Sequence, residues 1–192
     1  VSHQSIPCLL EDNEALRLQL LDDINNADIN DRKQSRLFYG TQSAGNLFKR
    51  NESSFKALEL GLKEAISKYY DLYKNEDCEF IKSFPKQIEF SSSWFVKMQS
   101  GGHLTSHIHE DGWISGAIYL SIPKKTKTQD EGAIELSTHG DDYPIINDDF
   151  PKKVIKPKEG DVIFFPSSVF HRTIPFESDE ERICIAFDLK PS

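Results

Sequence analysis

Ser106-His107-Ile108-His109-Glu110-Asp111 places two imidazoles and two carboxylates within six residues, between two β-like stretches. On an extended strand, residues i and i+2 face the same side. His107 and His109 can therefore aim at one point, and so can His109 and Asp111. A divalent transition metal takes imidazole nitrogens, often with a carboxylate, and keeps positions open for water or substrate. A third ligand from elsewhere would complete a facial triad. His171 is the candidate, because it follows the strand-like Asp161-Val162-Ile163-Phe164-Phe165-Pro166. An H-x-H pair alone also fits two histidines lining a solvated strand end, so the flanking chain has to decide.

Outward from this stretch, the pattern from residue 86 onward is one of strands. Segments 87–99, 104–109, 114–122, 133–137, 152–156, 161–165, 170–174 and 182–189 are rich in β-branched and aromatic residues, with Gly, Pro, Asn or Asp between them. Gly101-Gly102, Gly112 and Lys158-Glu159-Gly160-Asp161 read as turns. Loops at 123–131 and 138–151 interrupt the strands; the second carries Asp141, Asp142, Tyr143, Asp148 and Asp149. Before residue 86 the periodicity is helical. Leu16, Leu20, Ile24 and Ala27 place a helix over 11–27, and Phe55, Leu58, Leu62, Ile66, Tyr69 and Tyr73 place another over 52–73. Residues 31–50 are polar and contain Gly40 and Gly45, and they read as a loop, with a lid over the site as the functional option. Two helices followed by eight short strands predict an α+β fold, a jelly-roll of about eight strands buttressed on one face by the helices. No repeat or linker divides the chain, so one domain over 1–192 is expected, helical over 1–85 and jelly-roll over 86–190.

Composition narrows the function. The 192 residues carry 31 acidic and 23 basic side chains, a net charge of −8. This argues against a nucleic-acid backbone as the main partner, since phosphate binding needs a basic surface. No apolar run approaches the ~20 residues of a membrane helix, and the first residues lack a basic-then-apolar pattern. Cys8, Cys78 and Cys184 are an odd, widely spaced set, which suggests free thiols. A soluble protein of a reducing, cytoplasmic compartment is expected.

Taken together, Trp94-x-Val96, Gly102-x-Leu104, His107-x-His109, Ile114-Ser115-Gly116-x-x-Tyr119, Pro157-x-x-Gly160-Asp161-x-x-x-Phe165-Pro166-Ser167, His171 and Glu181-Arg182-Ile183 resemble the 2-oxoglutarate/Fe(II)-dependent oxygenases. The likeness is greatest to the branch with an H-x-H motif followed by SG-x-x-Y, and it covers roughly residues 90–189. The resemblance implies a double-stranded β-helix, Fe(II) at the mouth of the barrel and 2-oxoglutarate as cosubstrate. It places His171 as the distal histidine, Arg182 on the far carboxylate of 2-oxoglutarate, and Tyr119 as a hydrogen-bond donor to that cosubstrate. A planar guanidinium suits a carboxylate bidentately. Arg172 adjoins His171 and should face away from the metal.

Most of the superfamily supplies His-x-Asp or His-x-Glu, whereas this chain has His107-x-His109 or His109-x-Asp111. Spacing to the Gly and Tyr landmarks of the family implies His107, His109 and His171 as the ligands. The residue chemistry alone favours His109, Asp111 and His171. His103 and His139 have no ligand role in either set. The implied activity is hydroxylation of a C–H bond of a small-molecule or peptide substrate by O2, with release of succinate and CO2. The competing reading is a non-catalytic, cupin-like metal-binding module.

Overall fold

The computed structural model describes residues 1–10, 12–145 and 149–192. Glu11, where the first helix was expected to start, and Asp148 of the acidic loop lie outside the described residues. Helix α1 (Ala15–Asn26) buries Leu20 and Ile24. It begins later than the periodicity suggests because Asp12–Glu14 form a 3-10 turn and Glu14 adopts φ 63°, a left-handed conformation through which an α-helix does not propagate. Helix α2 (Ser53–Tyr73) follows its apolar stripe, and Phe55, Leu58, Leu62, Ile66 and Tyr69 are all buried. A short helix, α3 (Glu79–Lys82), leads into the strands.

The described residues form ten strands, three before α3 and seven after it: β1 (Ser2–Ser5), β2 (Asp31–Arg32), β3 (Leu37–Ser43), β4 (Ile88–Leu104), β5 (Ile114–Ser121), β6 (Ile134–Ser137), β7 (Lys152–Ile155), β8 (Asp161–Pro166), β9 (Phe170–Thr173) and β10 (Arg182–Pro191). Seven form a sheet in the order β1-β8-β5-β10-β4-β3-β2, and three form a second sheet in the order β7-β6-β9. Every pairing between these strands is antiparallel. The two sheets make the jelly-roll, the double-stranded β-helix expected from the sequence.

Period-two alternation sorts the large sheet into two faces. Ile114, Ile118 and Leu120 of β5, Val162 and Phe164 of β8, and Ile183, Ile185, Phe187 and Leu189 of β10 share one core with Leu20, Phe55, Leu58, Leu62 and Tyr69 of the helices. The intervening residues look the other way. Tyr119, Ile163, Phe165, Cys184, Val96 and Met98 pack with Ile134, Leu136 and Ile155 of the small sheet. Gly116 is required by the first core, since a Cβ there would sit 2.6 Å from Phe187 Cζ and 2.9 Å from the Ile163 carbonyl oxygen.

Three expectations change. Residues 31–50 are not a plain loop: β2 and β3 extend the large sheet beyond β4. The segments at 87–99 and 104–109 are not two strands split by a glycine turn. β4 runs through Gly101-Gly102, which it can do because Gly101 adopts φ +81° and the strand bends rather than reverses. After Leu104 the chain leaves the sheet, and within 105–109 only His107 makes a β-bridge, to His171.

Leu62 is fully buried between α2 and the sheet. Leu62→Ala is expected to lower the unfolding free energy by about 2–5 kcal/mol, measured by chemical denaturation at unchanged m-value.

Candidate functional site

His107 and His171 are joined through their main chains. The His107 amide donates to the His171 carbonyl at 3.1 Å, and the His171 amide returns the bond to the His107 carbonyl at 3.0 Å. His171 lies on β9, whose partner β6 aligns it with Leu136 on the inward face. The His109 amide donates to the Ser167 carbonyl at 3.0 Å, in the turn before β9. The segment that left the sheet at Leu104 is thus sewn to the small sheet by its own backbone. That fixes where its two imidazoles go.

The three imidazoles converge. One nitrogen from each of His107, His109 and His171 lies within 4.8 Å of the others, and the ring centroids are 4.3–5.3 Å apart. Each Nδ1 faces a protein acceptor: the Thr105 carbonyl at 2.7 Å for His107, the Asp188 carboxylate at 2.5 Å for His109, and the Val169 carbonyl at 3.2 Å for His171. An imidazole whose Nδ1–H donates in this way keeps the Nε2 lone pair for a metal. Burial lowers His107 to about 4, and it holds His171 well below the usual histidine range. Both rings are therefore neutral near pH 7, the form that binds a metal.

Asp111 is exposed and lies outside this cluster. His103 stacks on Phe38, and His139 bonds the Tyr143 carbonyl and stacks on Phe150, both away from the three rings. Arg172 points outward and forks onto Glu135 with two bonds of 2.9 Å.

Alternation along β10 brings Arg182, Cys184, Ala186 and Asp188 to the inner face. All four line a cavity of ≈ 570 Å³ together with the three histidines, Tyr119 and Trp94. Arg182 is 2% exposed. Its Nε donates to the Gly132 carbonyl at 3.0 Å, its Nη1 meets only the sulfurs of Met98 and Cys184, and its guanidinium lies 5.0 Å from the centre of the Tyr119 ring. Among the described residues no carboxylate pairs with it. The Tyr119 hydroxyl is buried beside Arg182 with no acceptor among the described residues, and burial raises its pKa, so it stays protonated and can donate. Between Arg182 and the histidines the floor is low, because Ala186 pairs with Ala117 across β10 and β5 and both line the cavity.

Sequence reasoning passed over Asp188. Ser115 Oγ donates to its Oδ1 at 2.6 Å and Ser92 Oγ to its Oδ2 at 2.9 Å. Burial alone would raise this carboxyl, but the bonds from His109, Ser115 and Ser92 hold it below the usual carboxylate range. Its parity with Arg182 on β10 was the available signal. At the mouth, Arg36 forks onto Asp141 at 2.9 and 2.6 Å and also donates to the Ser106 carbonyl at 3.1 Å. This clasp ties the approach to β3 to the loop after β6.

Residues 92–188 match the family described as "Putative 2OG-Fe(II) oxygenase". No curated protein matches the chain in sequence. Among solved structures, a prolyl-4-hydroxylase from Pseudomonas putida is similar, with a TM-score of 0.61 and 12% identity over 100% of this chain and 92% of that one. HygX from Streptomyces hygroscopicus, solved with nickel, 2-oxoglutarate and hygromycin B, gives a TM-score of 0.63 and 11% identity over 99% and 83%. A Trichoplax adhaerens prolyl hydroxylase in complex with a hypoxia inducible factor peptide fragment gives 0.62 and 15% over 97% and 82%. At these identities the structures share the fold. No helix among the described residues is long and apolar enough to cross a membrane.

The depressed histidines set a pH dependence. Between about pH 4 and 6.5 the unfolded chain binds protons at His107 and His171 that the folded chain does not. Stability of the metal-free protein is therefore fully present above about 6.5 and declines as the pH falls toward 4. His107→Gln is expected to flatten that decline, read from denaturation midpoints at pH 7, 6 and 5; an unchanged slope contradicts the assignment.

Proposed function

We infer that this chain, which belongs to the 2OG-Fe(II) oxygenase family, is a hydroxylase that binds Fe(II) through His107, His109 and His171 and anchors 2-oxoglutarate on Arg182. Fe(II) and 2-oxoglutarate are the cofactor and cosubstrate of the family. The residues suit them. Three converging imidazoles, each with its Nδ1 held by a protein acceptor, fit a divalent first-row ion. A buried guanidinium without a carboxylate partner and an orphaned phenol fit the far end of a dicarboxylate. The iron, with O2 and the electrons of 2-oxoglutarate decarboxylation, supplies the oxidising power for a C–H bond.

The remaining work falls to the chain. Nδ1 acceptors hold the three rings in one orientation. Arg182 and Tyr119 fix the carboxylate end, and the Ala117–Ala186 floor leaves room for the carbon chain between anchor and metal. Trp94, Phe165 and Tyr119 line the same cavity and limit water there. The substrate reaches the metal through the mouth bounded by Arg36, Asp141 and Tyr143, and a small molecule or a peptide side chain suits that opening. One observation carries the reading: Arg182 is buried in the same cavity as the histidines with no acid among the described residues to neutralise it. A cupin-like metal module has no use for that charge.

Succinate release in the presence of Fe(II), ascorbate and 2-oxoglutarate tests the activity, and complete absence of 2-oxoglutarate binding overturns it. Arg182→Ala is expected to weaken 2-oxoglutarate by about 2–4 kcal/mol, tens- to several-hundred-fold in Kd, with metal affinity retained.

The ligand set is tested separately, with Mn(II) as a redox-stable probe. Asp111→Asn is expected to leave affinity within a few-fold, because an exposed carboxylate contributes little through solvent, and His107→Ala is expected to abolish binding. A severe loss in Asp111→Asn with a mild one in His107→Ala would restore the carboxylate set.

A further inference from the structure

All three proposed ligands are imidazoles, with no carboxylate among them, so the ion's two positive charges have no protein anion in direct contact with them. Among the described residues only two carboxylates are buried, Asp161 and Asp188. Asp161 is engaged by Ser5, His3 and the Lys158 amide and does not line the cavity. Asp188 stands against a proposed ligand, 2.5 Å from His109 Nδ1, and leaves the Nε2 of that ring for the metal. Two hydroxyls, Ser92 and Ser115, donate to its oxygens, and Ser115 is itself held by Ser167 at 2.8 Å. Ser115 Oγ also lies 3.0 Å from His109 Nδ1.

Resting on the reading of His109 as a ligand, we propose that Asp188 supplies the metal centre with its negative charge through the His109 ring. A carboxylate that accepts the Nδ1–H draws proton density away from the imidazole and makes Nε2 a stronger donor. Its own charge acts across one ring in a low-dielectric interior, where screening is weak. The carboxylate that most of the superfamily places in contact with iron is here set one imidazole further back. Asp188 is a positioning residue: it touches neither substrate nor metal. Ser92 and Ser115 donate to its oxygens, which holds it aimed at His109.

Three variants separate charge from packing. Asp188→Asn keeps the shape: its amide oxygen can accept from His109 and its NH2 can donate to Ser92 Oγ, so only the charge is lost. Asp188→Glu keeps the charge and adds a buried methylene. Ser115→Ala removes one donor and leaves both the charge and the His109 bond. Calorimetric titration of the full chain with Mn(II) is expected to show Asp188→Asn weakened about 10–100-fold, Asp188→Glu weakened less, and Ser115→Ala within a few-fold of the parent. In the iron-loaded protein the Fe(III)/Fe(II) midpoint potential should move positive in Asp188→Asn, since loss of an anion disfavours the more charged ion. Thermal melts of the metal-free variants report folding; if Asp188→Asn does not melt cooperatively, the Glu and Ala variants decide. Asn binding like the parent, Glu binding more weakly than Asn, or Ser115→Ala losing as much as Asn would each overturn the proposal while leaving the metal site standing. Failure of the parent chain to bind Mn(II) or Fe(II) would overturn the metal site, and this proposal with it.

Discussion

The alternation of side chains along β10 is the constraint on which both core and cavity depend. Ile183, Ile185, Phe187 and Leu189 go under the helices, while Arg182, Cys184, Ala186 and Asp188 go into the barrel. A one-residue slip in register would exchange the two sets. It would bury a guanidinium and a carboxylate against α2 and turn four apolar side chains into the cavity. Pairing with β4 on one side and β5 on the other makes that slip costly. The apolar face thus serves chemistry indirectly, because it locks the phase of the polar one.

What was legible in the sequence follows from how far each interaction reaches. The stripe of α2 and the apolar runs of β5, β8 and β10 are local periodicities, and they became the elements expected. β3 reads as loop in the sequence because residues 31–50 are polar and contain Gly40 and Gly45. Only Gln42 and Ser43 at its end are buried, and backbone pairing with β4 holds it. The length of β4 was hidden by Gly101-Gly102, since a glycine pair reads as reversal unless the partner strands are known.

The site divides in the same way. His107 and His109 are two residues apart, and their convergence needs only extended backbone. Their meeting with His171 is suggested by the strand-like run before it, and it comes about through a reciprocal main-chain bridge that spacing does not announce. Asp188 was missed because its partner is 79 residues away. Arg36 was missed because its partner, Asp141, sits in a loop whose acids look solvated one by one.

The clasp between Arg36 and Asp141 bridges the approach to β3 and the loop after β6. Neither segment provides a proposed ligand for metal or cosubstrate. Arg182 and Tyr119 stand on β10 and β5, each paired on both sides, whereas Arg36 and Asp141 lie outside the strands. Selectivity can therefore drift by small changes at the margin while the reaction is inherited intact. In a lineage built this way, kinship in chemistry says little about kinship in diet.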